Sequence, residues 1–282
     1  MVDERGEPHE AIPVHELGFV RLLDVMGNDE EVENAARISY GEGTRKVSQT
    51  RNLIRYLMRH KHTSPFEMCE VKFHIKLPIF IMRQLVRHRT ANINEYSGRY
   101  SLMSDEFYLP AEADVQEQSS SNNQGRGKDL DEDNKMLVLG RIVAVTDQAK
   151  ECYRQIATPT PLDGFHEGFK GIARELARTV LPVSNYTECI WKIDLNNFFH
   201  FAKLRMDAHA QKEIQDYASA MYELVKPKFP ICCEAFEDYI LNSKTFSAKE
   251  MRIIKENLNG SWVMAKYGLS ERESKEFLEK LK

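Results

Sequence analysis

The segment from Cys69 to Leu77 alternates strictly between apolar and polar side chains. The apolar side chains occupy every second position, and the polar ones between them are Glu70, Lys72, His74 and Lys76. Because successive side chains of a strand point to opposite faces of a sheet, this pattern predicts a strand with one buried face and one face in water. Pro78 follows directly and suits the first turn of a helix, so the segment Pro78 to Arg89 is predicted to be helical.

Local patterns of the same kind place other elements along the chain. Strands are predicted at Gly18–Met26 and Thr187–Asp194. Helical spacing of apolar residues, with candidate capping residues at Asn28 and Ser48, predicts several helices. These helical segments are Asn28–Tyr40, a stretch after Ser48, Lys135–Ala157, His166–Val180, Leu195–Met206 and Ala208–Lys226. After Leu241, two capping boxes predict a helical extension over residues 242–282; they are Ser247 with Glu250 and Ser270 with Glu273.

The segment from Ala111 to Asn134 differs in composition from its surroundings. It has no aromatic residue, and its only larger apolar side chains are Val115 and Leu130. A segment with so few apolar side chains cannot bury a core of its own. We therefore predict a mobile polar insertion at 111–134, dispensable for chemistry, within a single domain that spans residues 1–241.

The overall composition argues against several classes of protein. The chain has 282 residues, a formal net charge of -4 and a pI of about 6.2, so no global charge attracts nucleic acid or an anionic membrane. No apolar run reaches the roughly 18 residues of a membrane span, and the N-terminus is acidic where a signal peptide would be basic. Five cysteines, an odd number without C-x-x-C spacing, predict reduced and mostly buried thiols in a cytoplasmic protein.

A local excess of positive charge lies within this acidic chain. Between Arg83 and Ser101 there are four arginines and one glutamate, which gives a local charge of +3. Cations at the end of a helix are commonly a solvated surface feature. Here, however, they are followed by a run of hydrogen-bonding side chains, namely Asn92, Asn94, Glu95, Ser97, Arg99 and Tyr100. Since arginine matches phosphate geometry while Asn, Ser and Glu can bind a base or ribose, the segment predicts a loop that binds a phosphorylated small molecule.

Other chemistries fit these residues less well. Ser97 as a nucleophile lacks an evident relay of a histidine and a carboxylate. The stretch His60–His62 with Glu67 matches no metal-binding signature, so no metal site is predicted. Tyr96 and Tyr100 beside the arginines leave open a module that binds single-stranded RNA without catalysis.

The segment RHRTANINEYS resembles the signature of flavin-dependent thymidylate synthases, which is Arg-His-Arg, seven residues and then Ser. The residues that satisfy it are Arg87, His88, Arg89 and Ser97. Further segments resemble the family in the family's order: HTSPFE (62–67), RQ (83–84), ARTVLP (177–182) and LRMDAHAQKEIQ (204–215). The similarity extends over about residues 18–239, without the insertion and the C-terminal extension.

The resemblance implies the reductive methylation of dUMP to dTMP, with 5,10-methylenetetrahydrofolate as carbon donor, NADPH as reductant and FAD as hydride relay. It implies a compact α+β domain in which a mixed or antiparallel sheet is packed by helices. It also implies a homotetramer whose active sites are shared between subunits. The expected partners are dUMP, folate, NADPH and further copies of the chain, with neither nucleic acid nor a membrane.

The resemblance also assigns ligand contacts by position in this sequence. Those implied for FAD are Ser64, Arg87, His88, Arg89 and Glu95. Those implied for dUMP are Gln84, Leu85, Val86, Arg87, Glu95, Tyr96, Ser97, Gly98, Arg99, Arg178 and Arg205. His62 is implied to lie near the folate. Arg205 is the implied catalytic residue, because a guanidinium group at the pyrimidine edge would favour the N3-deprotonated, enolate-like ring and so raise electron density at C5.

Three positions depart from the family pattern. Where the family has Asn-x-Arg and a later Asn near the flavin, this chain has Asp194, Asn196 and His200. Asp194 could keep a backbone contact, and His200 can donate a hydrogen bond as Asn would, so all three are assigned to FAD as well. A flavoprotein of different specificity stays open as an alternative.

Overall fold

The computed structural model describes residues 11–40, 50–120, 124–257 and Glu271. Its contacts divide the chain into two compact units, residues 1–241 and 242–282. In the second unit, helix α10 (Ala248–Asn257) begins directly after Ser247, the residue predicted to start it. The predicted caps at Ser48 and Ser270 lie outside the described residues.

A five-stranded sheet forms the centre of the first unit. Its strands, in spatial order, are β1 (Ala11–Val14), β2 (Gly18–Met26), β3 (Glu70–Pro78), β7 (Tyr186–Asp194) and β4 (Asn92–Glu95). Every neighbouring pair is antiparallel, which resolves the predicted choice between a mixed and an antiparallel sheet. The alternation of β3 is confirmed, because Val71, Phe73, Ile75 and Leu77 are all buried.

Helices are the other main elements of the first unit. In chain order they are α1 (Asp29–Arg37), α2 (Thr50–Arg59), α3 (Ser64–Glu67), α4 (Ile79–Leu85), α5 (Glu132–Ala157), α6 (Arg174–Ala177), α7 (Leu195–Arg205), α8 (Lys212–Val225) and α9 (Pro230–Phe236). Helix α8 packs on β2 and on α7, and aromatic side chains such as Trp191, Phe198 and Phe201 fill the space between sheet and helices. Asn28 caps α1 as predicted, because its side chain accepts a hydrogen bond from the Glu31 N–H at 3.1 Å.

Two helices are shorter than their sequence patterns predicted. Helix α4 ends at Leu85, so the Arg87–Arg89 cluster lies in the turn after the helix. The chain must reverse there, because it pairs with β7 again from Asn92 onwards. The prediction of one helix over 166–180 is wrong, and a single turn of α-helix (α6) and a short 3-10 turn stand in its place. Gly168 and Gly171 have positive φ angles there, which interrupt a helix.

The segment 111–134, predicted to be a mobile polar insertion, contains regular structure in its described residues 111–120 and 124–134. It forms a 3-10 turn and then an antiparallel hairpin of β5 (Gln116–Gln118) and β6 (Arg126–Asp129). Val115 is buried at its base. Composition failed as a guide here because this hairpin is attached to the domain through charged side chains.

Candidate active site

Arg205 stands at the end of α7, where its direction is set by His88. The guanidinium Nε of Arg205 donates a hydrogen bond to the imidazole Nε2 of His88, and the two atoms are 3.1 Å apart. His88 is buried, with its ring edge against Phe201. Burial, reinforced by the charges of Arg205 and His200, lowers the pKa of His88 to about 4. The imidazole is therefore neutral at physiological pH, and Nε2 can accept from the arginine.

Arg205 also lines a large cavity, which has a volume of about 1000 Å³. Gln84, at the end of α4, lines the same cavity and donates from Nε2 to Oε1 of Gln211 at 2.6 Å. Burial, together with the nearby charge of Arg87, lowers the pKa of Arg205, and it remains a cation. The terminal nitrogens of Arg205 hydrogen-bond to none of the described residues. The cavity thus presents a directed positive charge and amide groups, which suits a pyrimidine.

The strand β4 and the turn after it carry the second set of predicted contacts. Glu95 ends β4, and its Oε1 accepts a hydrogen bond from the Thr187 hydroxyl at 2.9 Å. The N–H of Tyr96 donates to the Glu188 carbonyl at 2.8 Å, which continues the pairing with β7. The Tyr96 hydroxyl bonds the Leu102 carbonyl at 2.6 Å and closes the turn between them. The backbone of this predicted ligand-binding loop is therefore held in place.

Gly98 lies against Arg178 within this turn. A Cβ atom at Gly98 would approach Cδ of Arg178 to 3.2 Å and Sδ of Met103 to 2.8 Å. Arg99 pairs with Glu175 at 3.0 Å, and its N–H donates to Oγ of Ser97 at 3.3 Å. Two arginines and a serine hydroxyl thus gather around Gly98, which is the composition of an anion site.

The predicted dUMP contacts form two separate groups in one chain. One group surrounds Arg205, and the other surrounds Gly98. No hydrogen bond joins the two groups among the residues that the structure describes. Leu85 is buried in the core, which leaves only its backbone for a ligand, whereas its neighbour Val86 is exposed.

The residues predicted to bind FAD lie in several places. Arg87 and Arg89 are exposed in the turn after α4, on either side of the buried His88. Ser64 and His62 line a smaller cavity of about 380 Å³, together with Ala35, Ala36, Ser39, Leu57, Thr63, Pro65 and Met68. Exposed guanidinium groups and a serine hydroxyl fit the phosphates of a dinucleotide.

The three departures from the family pattern lie at the N-cap, in the first turn and in the middle of α7. Asp194 is the N-cap of this helix, and its carboxylate accepts hydrogen bonds from the backbone N–H and side-chain amide of Asn197, at 2.9 and 2.7 Å. Asn196 is half-buried. His200 is exposed, and its ring centre is 6.3 Å from that of His88. The capping bonds give Asp194 a structural task that its sequence position alone did not reveal.

Other reactive groups offer no competing site. Four of the five thiols are buried and Cys152 is half-buried; burial raises the pKa of Cys69 to about 11 and those of Cys189 and Cys233 to about 12. Within residues 11–40, 50–120 and 124–257, no cluster of three or more His, Cys, Asp or Glu side chains is placed to hold a metal ion. In the same part of the chain, no helix is long and apolar enough to cross a membrane.

Some cavity residues were missed by sequence reasoning. Gln211 lies inside the family-like segment 204–215, yet only Arg205 was taken from it. Ser119, Gln124 and Arg126 also line the large cavity, and they belong to the segment interpreted as an insertion. The available signal was the Gly-Arg-Gly sequence at 125–127, a cation between glycines in a polar stretch.

Comparisons with known proteins agree on one family. The family model described as "Thymidylate synthase complementing protein" matches residues 21–231. The flavin-dependent thymidylate synthase of Ehrlichia ruminantium (strain Gardel) is 48% identical over 269 residues, 95% of this chain and 87% of the relative. The enzyme of the same name from Treponema denticola is 48% identical over 270 residues, 95% of this chain and 96% of the relative.

A solved structure shares the fold. The UMP/dUMP methylase PolB from Streptomyces cacaoi, bound with 5-Br UMP, superposes with a TM-score of 0.70 and 32% sequence identity. The match covers 82% of this chain and 98% of that protein.

Proposed function

This chain belongs to the flavin-dependent thymidylate synthase family, whose reaction is the reductive methylation of dUMP to dTMP, and we propose how its residues divide that work. In this family methylenetetrahydrofolate is the carbon donor, NADPH the reductant and FAD the hydride relay. The observation that carries our proposal is the hydrogen bond from Arg205 to a buried, neutral His88 in the wall of the large cavity. An RNA-binding module without catalysis would not need such a directed charge.

We assign the pyrimidine to the group around Arg205. Uracil C5 is a weak nucleophile, and it becomes a stronger one when the ring is N3-deprotonated and carries enolate-like negative charge. A cation fixed in direction before the reaction stabilises that charge without reorganising, which is the main advantage of an electrostatic site over water. The hydrogen bond from Nε of Arg205 to His88 orients the guanidinium group and so directs its two terminal nitrogens. Gln84 and Gln211, which are joined by a hydrogen bond of 2.6 Å, add amide groups that can bind the ring edge.

We assign no protein nucleophile to the activation of C5. The residues that line the large cavity include no cysteine, and the buried thiols have raised pKa values. A protonated thiol is a poor nucleophile. Activation of C5 therefore rests on Arg205 and not on covalent addition of a cysteine.

We assign the phosphate of dUMP to the second group, around Gly98. Arg99, Arg178 and Ser97 supply charge-assisted and neutral donors, and the missing side chain of Gly98 lets Arg178 and Met103 pack closely against this turn. Glu175 pairs with Arg99 in the free chain at 3.0 Å, so a phosphate must compete with this exposed ion pair. Exposed ion pairs contribute little, so the competition is mild.

The residues proposed for FAD fit its chemistry. FAD, when bound, carries hydride from the reductant to the one-carbon unit. Arg87 and Arg89 would hold its phosphates, Ser64 would add a hydroxyl group, and Asn196 and His200 would supply further donors. Glu95 and Asp194 are less suited to phosphate, since a carboxylate repels another anion; their carboxylates accept hydrogen bonds from Thr187 and Asn197 respectively.

We further propose a homotetramer with shared active sites, in the cytoplasm. The two dUMP groups would meet across a subunit boundary. Helix α5 supports this, because only three of its 26 residues are buried and it exposes large apolar side chains, including Met136 (65% exposed) and Val145 (62%). Exposed apolar stripes of this kind mark protein interfaces. The free thiols fit a reducing compartment.

The decisive test of the reaction is the release of tritium from dUMP labelled at C5, with FAD, NADPH and methylenetetrahydrofolate present. Arg205→Lys keeps the charge but loses the planar fork and the Nε that bonds His88. Losing one oriented electrostatic donor costs about a hundredfold in rate, about 3 kcal/mol. Turnover should fall much more than dUMP affinity. Equal losses in rate and affinity would make Arg205 a binding residue only.

Shared sites predict complementation between two inactive variants. Arg205→Ala and Arg178→Ala, each inactive alone, are coexpressed with separate affinity tags, and tetramers that carry both tags are purified. If each site takes Arg205 from one subunit and Arg178 from another, about a quarter of the sites in an equal mixture are intact. Activity near zero in the mixed tetramers would show that one chain supplies both arginines.

A further inference from the structure

The β5–β6 hairpin forms one wall of the cavity that contains Arg205. Ser119 and the turn 124–126 line the cavity from the hairpin, whereas Gln84 and the corner between α7 and α8 line it from the domain. None of the ligand contacts that the family signature assigns lies on this hairpin. Its place in the wall therefore calls for a separate explanation.

Arg126 attaches the hairpin to the domain. Its NH1 donates to Oδ1 of Asp114 at 2.8 Å, at the base of the hairpin, and its NH2 donates to Oε1 of Glu213 in α8. The Glu213 side chain is only 4% exposed, and the same oxygen accepts from the hydroxyl of Tyr108 at 2.8 Å. Burial alone would raise the pKa of Glu213, but the hydrogen bond from Tyr108, the backbone N–H at the helix start and the charge of Arg126 outweigh it and lower the pKa. A buried carboxylate that keeps its charge binds its arginine firmly.

Two glycines shape the backbone of the hairpin beside Arg126. Gly125 has a φ angle of +94°, which side chains with a Cβ rarely adopt. A Cβ at Gly127 would lie 3.1 Å from the Gln118 carbonyl oxygen, so the two strands approach closely. These glycines flank Arg126 and set where the cavity-lining part of the turn lies.

Glu213, to which Arg126 donates, lies next to the residues that we assign to the pyrimidine. Glu213 belongs to the first turn of α8, and the N-cap of the same helix is Gln211. Gln211 accepts the hydrogen bond from Gln84, which we assign to the pyrimidine. The N-terminal end of α8 thus holds the hairpin through Glu213 and also carries Gln211, whose amide we assign to the pyrimidine.

We propose that Arg126 is a positioning residue for dUMP binding, which fixes the β5–β6 hairpin against the start of α8 and so completes the wall of the nucleotide cavity. The inference rests on the proposed function, because the ligand is taken to be dUMP. Arg126 acts through Glu213 and the hairpin, and it is not itself assigned a contact with the reacting atoms.

The test compares Arg126→Lys with wild type in the full-length, FAD-loaded enzyme. Lysine keeps one charge for Glu213 but cannot bridge Asp114 and Glu213 with a fork. We expect dUMP to bind about tenfold more weakly, equivalent to about 1.4 kcal/mol, measured through the flavin spectrum. The turnover number at saturating dUMP should stay within about twofold, so the loss falls on KM. Lys128→Ala, which removes an exposed cation from the same strand outside the cavity wall, is the matched control and should change neither constant.

The outcomes separate this inference from its premise. If the wild-type enzyme releases no tritium from labelled dUMP, the proposed function is wrong. Active wild type with unchanged dUMP affinity in Arg126→Lys would overturn the positioning role alone. A merely structural role predicts a lower melting temperature and less bound FAD at unchanged dUMP affinity. If Arg126→Lys does not fold, Asp114→Asn is the second variant. It weakens the contact of Arg126 at the base of the hairpin, while Arg126 can still pair with Glu213. Unchanged dUMP binding in Asp114→Asn would also overturn the inference.

Discussion

Acidification should destabilise this protein through His88, and the structure gives the size of the effect. His88 is buried beside a cation, and its pKa falls from 6.5 to about 4 in the folded state. Between these values the unfolded chain binds a proton that the folded chain does not, so stability is full above about pH 6.5 and declines as pH falls towards 4. Linkage gives a loss of about 2 kcal/mol between pH 7 and pH 5, and about 3 kcal/mol by pH 4.

His88→Gln isolates this contribution. The Gln Oε1 can accept from Nε of Arg205, as the His88 Nε2 does, but it does not titrate. Urea unfolding is followed by circular dichroism at pH 7 and pH 5, with equal protomer concentrations because association affects apparent stability. Wild type should lose about 2 kcal/mol more than the variant over this range. His166→Gln, at an exposed histidine, is the control and should behave as wild type. Parallel pH dependence in wild type and His88→Gln would refute the neutral-acceptor argument.

Two further predictions follow from the packing of the site and of the cysteines. Gly98→Ala should displace Met103 or Arg178, costing about 1 kcal/mol of folding free energy and weakening dUMP binding; calorimetry and the flavin titration measure both, and unchanged dUMP affinity would remove Gly98 from the phosphate site. Iodoacetamide at neutral pH should leave turnover intact, because four thiols are buried with raised pKa values; mass spectrometry should find modification only at Cys152, and loss of turnover or modification of another cysteine would contradict this.

The elements that sequence predicted well are those whose signal is local. The alternation of β3 and the cap of α1 at Asn28 are set by residues within a few positions of each other, and both are confirmed. The end of α4 is set by pairing with β7, about a hundred residues away, and so the predicted helix ran past Leu85. A local sequence pattern does not show where pairing with a distant strand ends a helix.

The candidate site shows the same limit. The family motif brought His88 into the list of ligand contacts and a second family-like segment brought Arg205, but the hydrogen bond between them joins residues 117 positions apart. The hairpin was missed because polar composition was taken as absence of structure. Its attachment depends on Arg126 and on Glu213, 87 positions away, and a charged pair leaves no apolar pattern in the sequence.

The choice of a neutral partner for Arg205 has a consequence for catalysis. A carboxylate at the place of His88 would fix the guanidinium group as well, but it would also cancel much of the positive potential at the pyrimidine. A neutral imidazole at 3.1 Å fixes the direction of Arg205 and leaves its charge unpaired. The low pKa of His88 follows from the same arrangement, because a second proton there would place two cations in contact. Elsewhere, at Glu213, the chain pairs Arg126 with a carboxylate, where attachment of the hairpin and not an electric field is what the contact provides.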